Sequence, residues 1–307
     1  MVLRIGTDCS GIEAPIQALQ QLKIPFEHSF CCEKDKYALQ SILANYTPKK
    51  IYTDITKRKH ALLPDIDMYI CGFPCQPFSL IGNKMGTEDN RSNIMYQCIK
   101  VVKKKLPKVF ILENVKNFKF IESGKPFDYL IKQLKNIKTE TGDLAYNIYY
   151  DILNTKDYGI PQNRERIFII GIRKDIQTKE YTTPIKLQMK LLDDFILDKN
   201  IYTKTKNPTV LKNLNKINNE KNNIVLSTNY YYPIKNISPT LTTQCSRYYN
   251  TTYNRYLTTN ECLLLQGFPS NFNQVVSNYQ MYKQAGNSMS VNVLKALLKK
   301  IYSITNL

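Results

Sequence analysis

The sequence predicts an α/β fold, a doubly wound parallel sheet followed by a smaller second domain. Short apolar runs alternate with amphipathic stretches up to Arg173, that rhythm stops there, and 307 residues suit one large domain with a lesser partner. The run at residues 2–7 is the first strand, and apolar residues at helical spacing over 12–22 give the helix after it. The run at 29–32 and the helical stretch at 37–45 repeat the unit. A strand at 68–71, a helix at 93–105, a strand at 109–112 and a helix at 126–137 continue it, and strands at 146–153 and 167–172 close it. Residues 200–236 hold ten Asn and six Lys with little periodicity, and an aromatic and basic stretch follows Tyr230, Tyr231 and Tyr232 through Arg247, Tyr248, Tyr249 and Arg255. Helical spacing returns at 290–302, where Val291, Leu294, Leu297, Leu298 and Ile301 share a face that is expected to pack back on the first domain.

Composition narrows the partners. Lys and Arg number 43 against 25 Asp and Glu, a formal charge of +18 that favours a polyanion such as nucleic acid. A secretion signal is not visible, and no apolar run approaches the ~20 residues that span a bilayer, so an intracellular, soluble protein is expected, without a membrane partner. The eight Cys lack the density of a disulfide scaffold. With two His, His28 and His60, and no CxxC pair, no metal is expected.

The segment Gly72-Phe73-Pro74-Cys75-Gln76-Pro77-Phe78-Ser79 follows a predicted strand and so sits where open α/β sheets bind ligands. Pro74 and Pro77 each fix φ and remove an N–H, which makes a stiff loop around one thiol. The next strand delivers Glu113-Asn114-Val115 at its own carboxyl end, so Cys75 and Glu113 face one crevice, an arrangement suited to covalent catalysis. Gln162-Asn163-Arg164-Glu165-Arg166 adds two guanidinium groups. Cys9-Ser10-Gly11-Ile12 makes a turn after the first strand, and Glu33 follows about twenty positions later, the spacing at which an acidic residue holds a ribose.

In order, these segments resemble the cytosine-C5 DNA methyltransferase family, including the enzymes of bacterial restriction-modification systems. The resemblance covers nearly the whole chain: residues 8–15, Glu33-Lys34-Asp35, Asp54-Ile55, the Pro-Cys-Gln loop, Glu113-Asn114-Val115, residues 157–166, Pro239-Thr240-Leu241, Leu265-Gln266-Gly267-Phe268-Pro269 and Gln284-Ala285-Gly286-Asn287-Ser288. It is weakest between residues 174 and 236. It implies a Rossmann-like S-adenosylmethionine-dependent methyltransferase fold with a smaller, variable target-recognition domain. Residues 1–173 would be catalytic and cofactor-binding, 174–282 target recognition, and 283–307 a segment packing back on the catalytic domain.

The resemblance also implies roles. Cys75 would be the nucleophile, Glu113 would bind N3 and the exocyclic amine of cytosine, Arg164 would stabilise the ring and orient Glu113, and Arg166 would assist. S-adenosylmethionine would meet Cys9, Ser10, Gly11 and Ile12 with its methionine part, Glu33 with its ribose hydroxyls, and Asp54 and Ile55 with its adenine; Lys34, Gly72, Pro74, Asn287 and Ser288 would also border it. This chain departs from the family pattern at two points, having Glu13 where the family usually has a second glycine and Cys9 where it usually has an aromatic. Double-stranded DNA would be the substrate, its cytosine flipped behind a loop at residues 80–92. Ser79, Lys84 and Arg91 would touch the DNA there, with Arg247 and Arg255 as candidates for guanine contacts. A monomer is expected, with a cognate restriction endonuclease as partner if the chain is half of a restriction-modification pair. Viral or phage genome protection and epigenetic marking are alternative roles, and the RNA-methylating branch of the family is disfavoured because Gln76-Pro77-Phe78-Ser79 after Cys75 looks more like the DNA members. A silent binding module is disfavoured by Cys75, Glu113, Arg164 and Asn287, and an oxidoreductase by the missing GxGxxG.

Overall fold

The computed structural model describes residues 2–74, 94–197, 199–203, 205–216, 225–227 and 235–307. Among them, β1 (Leu3–Asp8), β2 (Phe26–Cys32), β3 (Ile51–Tyr52), β4 (Met68–Gly72), β5 (Val109–Val115), β6 (Tyr146–Asn154) and β8 (Glu165–Arg173) form one sheet, in the order β3-β2-β1-β4-β5-β8-β6. The two-residue strand β7 (Gln162–Asn163) lies outside it and pairs in parallel with Ser238–Pro239.

Strands β1 to β5 run parallel, because helices or long connections return the chain to the same edge each time. Strand β8 runs antiparallel to both β5 and β6. The reason lies in its connection: a stretch from Thr155 to Arg164, without a crossover helix, joins β6 to β8, and a short link can only turn a strand back on its neighbour. Both sheet faces are covered. Met68 and Ile70 enter one apolar layer with the helices Ala14–Gln21 and Val291–Ser303, while Tyr69 and Cys71 enter the other with Ile94–Lys105 and Lys125–Lys135. This two-sided burial is why the strands read as unbroken apolar runs.

The helices start where local chemistry dictates. Asp35 caps Lys36–Asn45 by accepting the Tyr37 N–H at 2.8 Å, and Pro15 opens the helix Ala14–Gln21, where its missing N–H costs nothing. Strand Tyr248–Asn250 pairs antiparallel with Val225–Ser227 and Arg255–Tyr256, a small sheet beyond the large one.

The chain after Pro239 is fastened to β7, to the first two helices and to itself by buried amides and other polar side chains. Gln162 Nε2 donates to the Leu265 carbonyl at 2.8 Å while its Oε1 accepts the Leu241 N–H at 2.9 Å, and Gln266 Nε2 donates to the Ala285 carbonyl at 2.6 Å. Ser41 Oγ donates to Gln284 at 2.8 Å, and Lys295 reaches Gln21 at 3.0 Å. Residues 241–272 share their apolar layer with β1, β4 and β5. Among the described residues, no helix is long and apolar enough to cross a membrane.

Candidate active site

The strand order reverses between β1 and β4, and a cavity of about 590 Å3 opens at the carboxyl ends of these strands and their neighbours. Ligands bind open sheets at such a point because the loops diverge there. Cys9, Gly11, Glu33, Lys34, Asp54 and Ile55 make one side of it, and Gly72, Pro74, Glu113, Arg164 and Arg166 the other, with Asn287 also at its border.

The first side begins with a backbone that residues other than glycine rarely adopt. Cys9, Gly11 and Glu13 have φ of 49°, 55° and 61°, so the chain coils tightly out of β1 and turns the Gly11 N–H toward Glu33. Glu33 accepts that N–H on Oε2 at 2.7 Å and the Asp35 N–H on Oε1 at 2.9 Å. Each oxygen keeps a lone pair for a ligand hydroxyl. Burial raises the Glu33 pKa, and the backbone N–H groups of Asp35 and Gly11 oppose the rise. Asp54 accepts from the Thr56 N–H at 2.9 Å and its hydroxyl at 2.6 Å, which fixes the loop after β3 against the cavity.

Three of the expected cofactor contacts stand behind this wall. Ile12 is fully buried in the apolar layer, Ser10 Oγ is spent on the Thr7 hydroxyl at 3.0 Å, and Ser288 offers its carbonyl to Arg164 at 2.7 Å. They support the wall rather than face the cavity. Glu13 takes the left-handed conformation in which the family carries glycine, and the Thr7 hydroxyl holds its carboxylate at 2.7 Å. Glu13, His28 and Cys31 bring atoms of metal-ligand type within 4.8 Å of one another. The carboxylate and imidazole share the Thr7 hydroxyl, at 2.7 and 3.3 Å, and we read the group as a buried hydrogen-bonded network.

On the second side, Gly72 of β4 lies opposite Glu113 of β5. A Cβ on Gly72 would come within 3.3 Å of Glu113 Oε2, so glycine leaves the carboxylate its space. Asn114 donates to the Phe73 carbonyl at 3.0 Å and ties the end of β5 to the loop that continues through Pro74. Arg166 Nε pairs with Glu113 Oε1 at 3.2 Å. Burial raises the Glu113 pKa, opposed by the cations of Arg166 and then Arg164.

Arg164 is placed differently from its expected role. Its guanidinium donates to the carbonyls of Leu241 at 2.8 Å, Gly286 at 3.3 Å and Ser288 at 2.7 Å, so it pins the later motifs to the start of β8. Arg166, the expected assistant, is the arginine that pairs with Glu113. Arg164 still borders the cavity, and its Nε is buried without a hydrogen-bond partner among the described residues. Arg247 is exposed, whereas Arg255 is buried and paired with Glu261. A guanine contact by Arg255 would require breaking that buried pair, which places Arg255 in the fold rather than at the DNA surface. Cys75, Ser79, Lys84, Arg91, the loop at 80–92 and Tyr230 to Tyr232 lie outside the described residues.

Comparison with known proteins agrees with this geometry. The family model for the C-5 cytosine-specific DNA methylase matches residues 8–303. The type II methyltransferase M1.ScrFI of Lactococcus lactis subsp. cremoris is 33% identical over 300 residues, covering 90% of this chain and 72% of its own. M.SsoII of Shigella sonnei is 35% identical over 289 residues, covering 89% and 73%. Among solved structures, a DNMT2 mutant from Spodoptera frugiperda superposes with a TM-score of 0.73 at 17% identity, covering 98% of this chain and 99% of that one. S. pombe Dnmt2 superposes at 0.69 with 19% identity, covering 98% of each. The structural likenesses bear on the fold, and the family match and curated relatives on the activity: this chain belongs to the family of C-5 cytosine-specific DNA methylases and is a DNA cytosine-5-methyltransferase.

Proposed function

We propose that this enzyme binds S-adenosylmethionine in the cavity, receives a cytosine flipped from double-stranded DNA, and activates it through a covalent bond from Cys75 to C6. One juxtaposition carries the reading: the Glu33 and Asp54 side and the Glu113–Arg166 pair share a cavity, and Pro74, the residue before Cys75, borders it. The residues fit the donor. Glu33 has lone pairs for the ribose hydroxyls, the Gly11 turn lets backbone approach, and Asp54 and Ile55 flank the adenine side. When bound, the donor supplies an electrophilic methyl group on a sulfonium.

The remaining chemistry belongs to the chain. C5 of cytosine is too weak a nucleophile to take a methyl group unaided. The Cys75 thiolate adds to C6, and the electron pair of the C5–C6 bond moves toward C5 and the N3 side of the ring. Glu113 answers the charge at N3 by holding a proton there and accepts from the exocyclic amine; its raised pKa suits a carboxyl group that must carry that proton. Arg166 holds the Glu113 carboxylate, and Arg164, a cation bordering the same cavity, stabilises the ring. After methylation, water removes the C5 proton, the electron pair reforms the C5–C6 bond, and Cys75 leaves. Flipping is required because C6 is inaccessible in a stacked duplex. The excess of positive charge suits the phosphate backbone, with Ser79, Lys84, Arg91 and Arg247 as contacts. We extend the reading to a soluble monomer inside the cell, with a restriction endonuclease as its biological counterpart.

The covalent step is tested with duplex DNA in which every cytosine is 5-fluorocytosine, where the C5 substituent cannot leave as a proton. With S-adenosylmethionine present, a denaturant-resistant adduct on the peptide containing Cys75 is expected, and none with Cys75→Ala. Methylation of ordinary DNA without any trapped adduct would overturn the covalent route.

A further inference from the structure

Arg58 belongs to none of the motifs and does not line the cavity, yet it is among the most enclosed cations of the protein. Its side chain is 4% exposed and that of its partner Asp8 is fully buried. The guanidinium grips both Asp8 oxygens, Nη1 to Oδ1 at 2.7 Å and Nη2 to Oδ2, and the Tyr69 hydroxyl donates to the same Oδ2 at 2.6 Å. Its central carbon stands 5.2 Å from the ring centroids of both Phe30 and Tyr52. Four neighbouring strands therefore contribute to its seat: Asp8 from β1, Phe30 from β2, Tyr52 from β3 and Tyr69 from β4.

The position in the chain gives the seat its meaning. Thr53, Asp54, Ile55 and Thr56 line the cavity between Tyr52, held in the sheet by pairing with Cys32, and Arg58. The loop is tied at both ends, by strand pairing at one and by the ion pair at the other. Asp8, on the far side of that pair, immediately precedes the Cys9 to Gly11 turn. One two-point contact thus fastens the loop after β3 to the turn after β1. A planar fork can hold both carboxylate oxygens while lying against aromatic rings; an ammonium cannot do both.

We propose that Arg58 is a positioning residue for the methyl donor, setting the spacing between the Asp54–Ile55 loop and the Gly11 turn. The inference rests on the reading of this cavity as the donor site. Arg58 touches neither Glu113 nor its arginines, so its removal acts on donor affinity and leaves the chemical step at saturation intact.

The test uses the full chain and S-adenosylhomocysteine as probe, with affinity read by titration calorimetry and loop order by hydrogen exchange. Arg58→Lys is expected to weaken binding about tenfold and Arg58→Met further, with faster exchange at residues 53–57, while kcat at saturating donor stays within about twofold. Tyr69→Phe, which leaves the ion pair, is a milder variant should Arg58→Met fail to fold, with an expected loss of about two- to threefold. Wild-type binding with an unchanged Kd in Arg58→Lys would overturn the role of Arg58 alone, as would a fall in kcat at unchanged affinity. Failure of the wild-type protein to bind the probe would overturn the donor-site reading, and the inference with it.

Discussion

Two arginine–carboxylate pairs in this protein have the same chemistry and opposite uses. Glu261 is fully buried and saturated: Arg255 reaches it at 2.9 and 2.5 Å, and it accepts the N–H groups of Thr258 at 2.8 Å and Leu197 at 2.9 Å. Burial acts to raise its pKa, but the Arg255 bond and these N–H groups outweigh burial and the pKa is lowered. Among the described residues Glu113 has one ion-pair contact, at 3.2 Å; it borders a cavity, and its pKa is raised. A carboxylate whose lone pairs are all taken can only hold the fold together. One left under-satisfied at a cavity is free to meet a ligand and to carry a proton.

Breaking each pair should therefore fail differently. Glu113→Gln should lower kcat by about 10²- to 10⁴-fold in a methylation assay, with S-adenosylhomocysteine affinity and melting temperature nearly unchanged. Arg255→Met should cost about 3–5 kcal/mol in urea unfolding, because it strands a buried carboxylate. Among molecules still folded, sequence preference should not change, which separates a structural Arg255 from one that reads bases. Adding Glu261→Leu to Arg255→Met should restore most of that stability.

Smaller effects come from pH. The pKa of Glu261 is lowered in the folded protein, so its contribution to stability is present above the ordinary carboxylate pKa and lost as pH falls through the lowered value. Glu261→Gln should flatten that acid limb of the unfolding curve. Arg166 holds the Glu113 pKa down against burial, so Arg166→Met should move the Glu113-controlled limb of the pH–rate profile upward, by about one pH unit.

The same contrast explains what the sequence could reveal. Strands buried on both faces leave apolar runs, and acidic residues just past those runs, Glu33, Asp54 and Glu113, mark a ligand crevice because parallel strands all end there. Periodicity carries no strand direction, so the reversal of β8 was visible only as a short connection without a helix. The roles of Arg164 and Arg166, two residues apart, depend on which carbonyls lie opposite, and those come from residues more than seventy positions away. Arg255 resembled a DNA-reading cation because it lies among tyrosines; the one local clue to its partner was the capping pattern from Thr258 to Glu261. Arg58 sits between Lys57 and Lys59, in what reads as a solvated basic stretch, and its burial arises from four strands that meet only in the folded sheet.

The central claim is that one cavity joins a methyl donor to a cytosine held by Glu113 and attacked by Cys75. Its most direct test is to incubate the purified protein with S-adenosylmethionine and unmethylated genomic DNA and map 5-methylcytosine at base resolution, alongside Cys75→Ala and Glu113→Gln. The account predicts methylation at a short recurring sequence in the wild type, none with Cys75→Ala and a trace with Glu113→Gln. Undiminished methylation by Cys75→Ala, or methylation confined to RNA, would contradict it.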